Sequence, residues 1–265
     1  MASAAEQLAS NMNFGAFARA KELQKRILFT LFVLVIYRIG TYVPVPGIDP
    51  AQFAATFEQQ QQGVLGVFNM FSGGAVERMA IFALNVMPYI SASIIMQLMA
   101  ATVPSLERLK KEGGEAGRKQ INQYSRYLTV VLAAAQAFAI AIGMQTPDAT
   151  TNATIAINPG PFFVATTVVT LVGGTMFLLW LGEQITARGV GNGVSLIIFA
   201  GIIAEMPRAL VQALQQGATG ALPGGVIIAM LVGIIVVLTF VVFMERSQRR
   251  LLIQYPKRQV GNKMT

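Results

Sequence analysis

The residue types that most often carry out chemistry are scarce in this chain. It contains no histidine and no cysteine, so Ser-His-Asp catalysis, thiol nucleophiles, disulfides and Cys/His zinc sites are all excluded. Its two aspartates, Asp49 and Asp148, sit in segments between apolar runs, which leaves no aspartate pair for proteolysis within a membrane. No GxxxxGK[ST] phosphate loop occurs. The sequence predicts neither catalytic residues nor a cofactor.

A different signal lies in GVFNMFSGGAVERM, Gly66 to Met79. Val67, Phe68, Met70 and Phe71 begin an apolar helix that stops after about two turns. Gly73-Gly74 and Glu77-Arg78 intervene before apolar sequence resumes at Met79. A segment so short and interrupted cannot cross hydrocarbon, and its irregular backbone must be sheltered by protein or lie at the interface.

The elements that would position such a segment follow from composition. The chain has 265 residues, of which 54% are hydrophobic and 12% charged, against about 25% charged in soluble domains. Apolar runs at about 27 to 43, 79 to 102, 121 to 143, 161 to 181, 193 to 205 and 224 to 244 predict six membrane helices. The fifth, about 13 residues, would rise only about 20 Å, which suits a constricted interior better than a full bilayer. Pro44, Pro46 and Gly47 end the first span. Residues 1–26 read as a cytoplasmic amphipathic lead-in, not a cleaved signal peptide.

With the N-terminus inside, the inner segments hold 17 of the 20 Lys and Arg, leaving Arg38, Arg78 and Arg208 outside. This is the positive-inside pattern, and it accounts for the net charge of +8 without invoking nucleic acid. Coupled transporters need ionisable groups inside their spans, yet spans two, four, five and six have none in their interiors. Arg38 and Arg126 lie near span ends, where snorkelling to the interface is expected.

Four motifs carry a family resemblance: TYVPVPGID after span one, FNMFSGGA followed by MPYISASIIMQL, the loop KKEGGEAGRKQINQYSRY, and LGEQITARGVGNGVS. In order and spacing they resemble the SecY family, the channel subunits of the bacterial Sec protein translocase, over roughly Lys21 to Lys263. The resemblance implies an all-α polytopic membrane protein of ten spans in two inverted five-helix halves around a pore. Residues 27–205 would form the first half, with a plug at 64–75, and 206–265 the sixth span and the start of the following loop. The chain is then expected to be a truncated form.

The resemblance further implies a pore ring to which span two gives Val86 and Ile90 and span five Val194 and Ile198. Each pair is spaced i, i+4 and so faces one way on a helix. Apolar side chains at a waist resist hydrated ions by dewetting; ordinary helix packing is the other reading of these four. Relatives often carry isoleucine at several of these positions, so Val86 and Val194 predict a slightly looser seal. The plug would comprise Val67, Phe68, Asn69, Met70, Phe71, Ser72, Gly73 and Gly74, with the glycines as a hinge; an interfacial turn is the alternative. Ser91, Ser93 and Gln97 would face a lateral gate through interhelical hydrogen bonds of about 0.6 kcal/mol, or serve as static glue between helices.

Arg246, Arg249, Arg250, Lys257 and Arg258 match the loop that in the family docks the SecA ATPase or the translating ribosome, including contact with ribosomal RNA; positive-inside retention alone is the other explanation. SecE, SecG, signal sequences, nascent chains and membrane lipid complete the implied partners. The implied function is translocation of unfolded secretory proteins across the bacterial cytoplasmic (inner) membrane, and lateral release of membrane proteins into it. A non-conducting insertase or scaffold, and a small-solute transporter, are the alternatives.

Overall fold

The computed structural model describes residues 20–60, 64–146, 154–219, 223–247, 259–260 and 263–264. Nine helices follow one another among these residues: α1 Lys21–Gly40, α2 Pro50–Gln60, α3 Val64–Ser72, α4 Met87–Thr102, α5 Pro104–Glu112, α6 Gly114–Gln145, α7 Pro161–Arg188, α8 Gly193–Ala218 and α9 Gly224–Arg246. Two short strands, β1 Gln259–Val260 and β2 Lys263–Met264, pair antiparallel. The chain divides into two units, Met1–Pro207 and Arg208–Thr265, with the boundary inside α8.

Helices α6, α7, α8 and α9 are each long and apolar enough to cross a membrane, and α4 with α5 makes a fifth if that bent pair is one span. The bend is 96° and has a local cause. Val103 precedes Pro104, whose ring disfavours helical geometry in the residue before it, and Val103 is extended at φ −91°, ψ 116°. Helix α1 has 20 residues, but Arg26 and Arg38 confine its uncharged stretch to Ile27–Tyr37. The protein is a multi-pass helical membrane protein, and length and composition by themselves support four or five spans among the described residues.

Two boundaries differ from expectation. The second apolar run enters at Met79, yet the helix begins only at Met87, because residues 73–86 form successive turns. Met79 and Asn85 have positive φ, 42° and 49°, values that interrupt a right-handed helix. Local turns and the segment after α1 satisfy this backbone: Val45 donates to the Met79 carbonyl at 2.9 Å, Ile81 to the Val43 carbonyl at 2.9 Å, and Asn85 to the Phe82 carbonyl at 2.9 Å. Irregular backbone at this depth is tolerated when buried in protein, and Met79, Ala80, Phe82, Asn85 and Val86 are all buried. The fifth run is not short, because α8 continues through Pro207 to Ala218. Proline removes one donor from the ladder without necessarily ending the helix, and 26 residues rise about 39 Å.

Helix α6 packs against both α4 and α7. Its buried face carries Ser125, Thr129, Ala133, Ala137 and Ala141, a stripe at four-residue spacing whose small side chains let neighbouring helices approach closely. One apolar cluster joins Val45, Met79, Ala137, Phe163 and Leu171; a second joins Tyr37, Phe82, Val86, Leu178, Ile185 and Ile197. The second cluster holds the candidate site. Large apolar side chains on outward faces, such as Leu28, Phe162 and Val169, remain exposed, as suits helices solvated by lipid.

Candidate functional site

The nine residues of α3 (VLGVFNMFS) span about 14 Å, half the thickness of a hydrocarbon core. Gly73 and Gly74 follow at φ 66° and 78°, a left-handed conformation that turns the chain out of the helix at low cost. The turn is then locked from within. The Asn69 side chain accepts from the Glu77 amide at 2.9 Å and donates to Glu77 Oε2 at 3.2 Å. Ser72 Oγ donates to the Asn69 carbonyl at 2.9 Å and accepts from the Val76 amide at 3.2 Å.

A helix C-terminus leaves carbonyls without intrahelical donors, and those at this end of α3 are met by other parts of the chain. Asn85 Nδ2 donates to the Phe71 carbonyl at 2.7 Å, and Tyr37 Oη to the Ser72 carbonyl at 3.1 Å. The Gly73 carbonyl accepts twice, from Arg38 Nη1 at 2.6 Å and from Arg78 Nη2 at 3.0 Å. Arg78 Nε also donates to the Thr41 carbonyl at 3.2 Å, and both guanidinium groups lie over the Tyr42 ring, 5.0 and 4.3 Å from its centre. Two cations at this end also complement the negative pole of the helix dipole. Arg38 therefore does more than snorkel.

Gly201 of α8 closes the third side. A Cβ there would lie 2.6 Å from the Phe71 carbonyl oxygen and 3.2 Å from the Gly73 nitrogen, so only glycine fits this approach of α8 to the end of α3. The apolar side chains of Val67, Phe68 and Met70 stay partly exposed on the other face of α3.

Of the four expected ring residues, three share the second cluster. Val86 is a fully buried member, and Val194 and Ile198 pack against the cluster half-buried. Ile90, one turn along α4, donates its amide to the Val86 carbonyl at 3.1 Å but is not part of that cluster. Helix α8 is oriented by its start: Asn192 Oδ1 accepts from the amides of Val194 and Ser195 at 3.1 and 3.3 Å, a side-chain N-cap. Ile197, which sequence reasoning passed over, is fully buried in the same cluster.

Ser93 and Gln97 hydrogen-bond each other within α4, at 3.3 Å, and the expected bonds from Ser91, Ser93 and Gln97 to a second helix do not occur among the described residues. Ser91 instead lines a cavity of 420 Å³ with Phe68, Asn85 and Gln136. Ser93 lines another of 500 Å³ with Tyr89, Asn122, Arg126, Glu183 and Asn192. There Arg126 does not merely snorkel: it pairs with Glu183 at 2.6 Å and ties α6 to α7. Of the basic run, Arg246 ends α9; Arg249, Arg250, Lys257 and Arg258 lie outside the described residues. No group of three His, Cys, Asp or Glu side chains suited to a metal ion converges among the described residues.

The residues missed by sequence reasoning are the ones that receive the end of α3: Tyr37, Asn85 and Gly201, with Arg38 and Arg78 in a role beyond charge placement. One signal was present. Arg38 and Arg78 are two of the three basic residues on the expected outer side, where such residues are otherwise depleted.

Comparison with known proteins gives the family of the chain. The SecY family profile matches residues 80–265. The chain is 52% identical over 254 residues to the protein translocase subunit SecY of Rickettsia bellii, covering 96% of this chain and 58% of that protein. It is 51% identical over 243 residues to the SecY subunit of Escherichia coli K12, covering 92% and 54%. The chain thus spans little more than half the length of these relatives. Among solved structures, Sec61 of a canine ribosome-channel complex from the endoplasmic reticulum aligns at a TM-score of 0.59 and 17% identity, over 87% of this chain and 50% of that one. A protein-conducting channel aligns at 0.57 and 18%, over 84% and 48%; at these identities the likeness is one of fold. Together with the profile match, these relatives establish that the chain belongs to the SecY family.

Proposed function

We propose that the chain forms the channel half bearing the plug in the central subunit of a protein translocase of the bacterial inner membrane, with its N-terminus in the cytoplasm. Its substrate is an unfolded chain led by an apolar signal segment. Val86, Ile90, Val194 and Ile198 line the constriction, where apolar side chains exclude hydrated ions by dewetting yet part for a polypeptide. The plug, Val67 to Gly74, rests against that constriction when the channel is idle. Ser91, Ser93 and Gln97 lie along the wall that opens toward lipid for membrane segments.

The observation that supports this reading most strongly is the seat of α3. Its final carbonyls are held by Tyr37 and Arg38 of α1 and by Asn85 beside Val86, and it abuts Gly201 on the helix that carries Val194 and Ile198. A nonspanning helix held at its C-terminal end, beside a cluster of ring residues, is suited to leave and return.

The chain does no covalent chemistry in this reading; partners supply the energy of nucleotide hydrolysis. SecA or the translating ribosome docks on the basic run Arg246, Arg249, Arg250, Lys257 and Arg258, and SecE and SecG complete the membrane complex. The likeness to Sec61 in a ribosome-channel complex supports a ribosome as one docking partner. The test is a photo-crosslinkable residue at Val86 or Ile198 in the full-length protein, challenged with a stalled chain bearing a signal sequence. Crosslinks at both positions are expected. Contact at neither would favour a scaffold.

A further inference from the structure

Asn85 occupies an unusual place. It is 1% exposed, its backbone is left-handed at φ 49°, and its carboxamide is used at both ends. Nδ2 donates to the Phe71 carbonyl at 2.7 Å, and Oδ1 accepts from the Val86 amide at 2.8 Å. Phe71 belongs to the last turn of the plug helix, while Val86 caps α4 and is fully buried among the ring residues.

We infer that Asn85 is a positioning residue that couples the plug to the constriction: its carboxamide, clamped between the Phe71 carbonyl and the Val86 amide, holds Val86 in the ring while the plug is seated and loosens it when the plug leaves. The inference rests on the proposed channel function. Its physical basis is the asymmetry of buried hydrogen bonds. When Phe71 withdraws, Nδ2 loses its acceptor and must find another. Rotating the carboxamide to find a new acceptor takes Oδ1 from the Val86 amide, the first orphan donor of α4.

A residue that served only the left-handed turn would make no such link. Glycine adopts positive φ more readily than asparagine, so Asn85→Gly preserves the turn while deleting both side-chain bonds. Asn85→Asp retains the acceptor for Val86 but loses the donor to Phe71 and sets a carboxylate against a carbonyl. The two variants separate backbone shape from coupling.

The test uses the full-length protein with its partner subunits in proteoliposomes, measuring ion leak without substrate, with and without deletion of Val67 to Gly74. Asn85→Gly and Asn85→Asp are each expected to raise leak about 10-fold, equivalent to about 1.4 kcal/mol, when the plug is present. In the plug-deleted background each should change leak less than about 2-fold, since residues acting through one contact are not additive. Unchanged leak in Asn85→Gly with the plug present would overturn the inference, and so would an equal increase in both backgrounds. A plug deletion that leaks while Asn85→Gly does not removes the coupling role alone; a plug deletion that fails to leak removes the plug reading and the coupling with it.

Discussion

Arg38 and Gly73 are separated by 35 positions in sequence, yet the Arg38 guanidinium donates to the Gly73 carbonyl at 2.6 Å. Arg78 donates to the same oxygen at 3.0 Å. Each is a charge-assisted bond of about 1.5 to 3 kcal/mol, and partial exposure sets the value toward the lower end. Arg38→Gln and Arg78→Gln should each raise ion leak through the idle channel about 10-fold. Arg78→Lys should not restore the seal, because a lysine cannot serve the Gly73 and Thr41 carbonyls from a rigid fork.

Gly201 allows α8 to touch the end of α3, and a Cβ there would lie 2.6 Å from the Phe71 oxygen. Gly201→Leu should displace α3, since overpacking of this kind costs about 1 to 3 kcal/mol. These 265 residues contain no cysteine, so Phe68→Cys in a full-length protein kept free of other cysteines gives an unambiguous reporter. Its labelling by a membrane-impermeant thiol reagent should accelerate about 10-fold when Gly201→Leu is added; an unchanged rate would mean that the plug tolerates the side chain in place.

The ring assignment makes a separate demand. Val86→Gly with Ile198→Gly removes two apolar side chains that share one cluster and should widen the constriction enough to admit hydrated ions. In the full-length protein, leak should rise while precursor transport continues. If both are unchanged, these residues are packing and not a seal.

The sequence made the membrane helices visible because the length and apolarity of a run are local properties: α6, α7 and α9 fall where the hydropathy pattern places them. Helix α3 was legible for the same reason, as an apolar turn stopped by Gly73-Gly74. The start of α4 was not legible. It depends on left-handed backbone at Met79 and Asn85 and on bonds from Val43 and Val45, more than thirty residues away. No local apolar pattern encodes such distant partners. The extension of α8 through Pro207 was hidden because proline, Glu205 and Arg208 together resemble a helix end, while an established helix can absorb one missing donor.

Asn85 and Gly201 show the limit more sharply. Each looks unremarkable in its own segment, one an amide in an apolar run and the other a glycine inside a helix. Their roles come from what approaches them, the carbonyl of Phe71 in both cases.

Deleting Val67 to Gly74 from the full-length protein asks whether these residues form a plug seated on a constriction. Conductance of the idle channel and export of a precursor should be measured on the same proteoliposomes. Loss of a plug should bring a large increase in ion leak with a much smaller loss of export. Deletion that leaves the membrane as tight as before would contradict the plug reading.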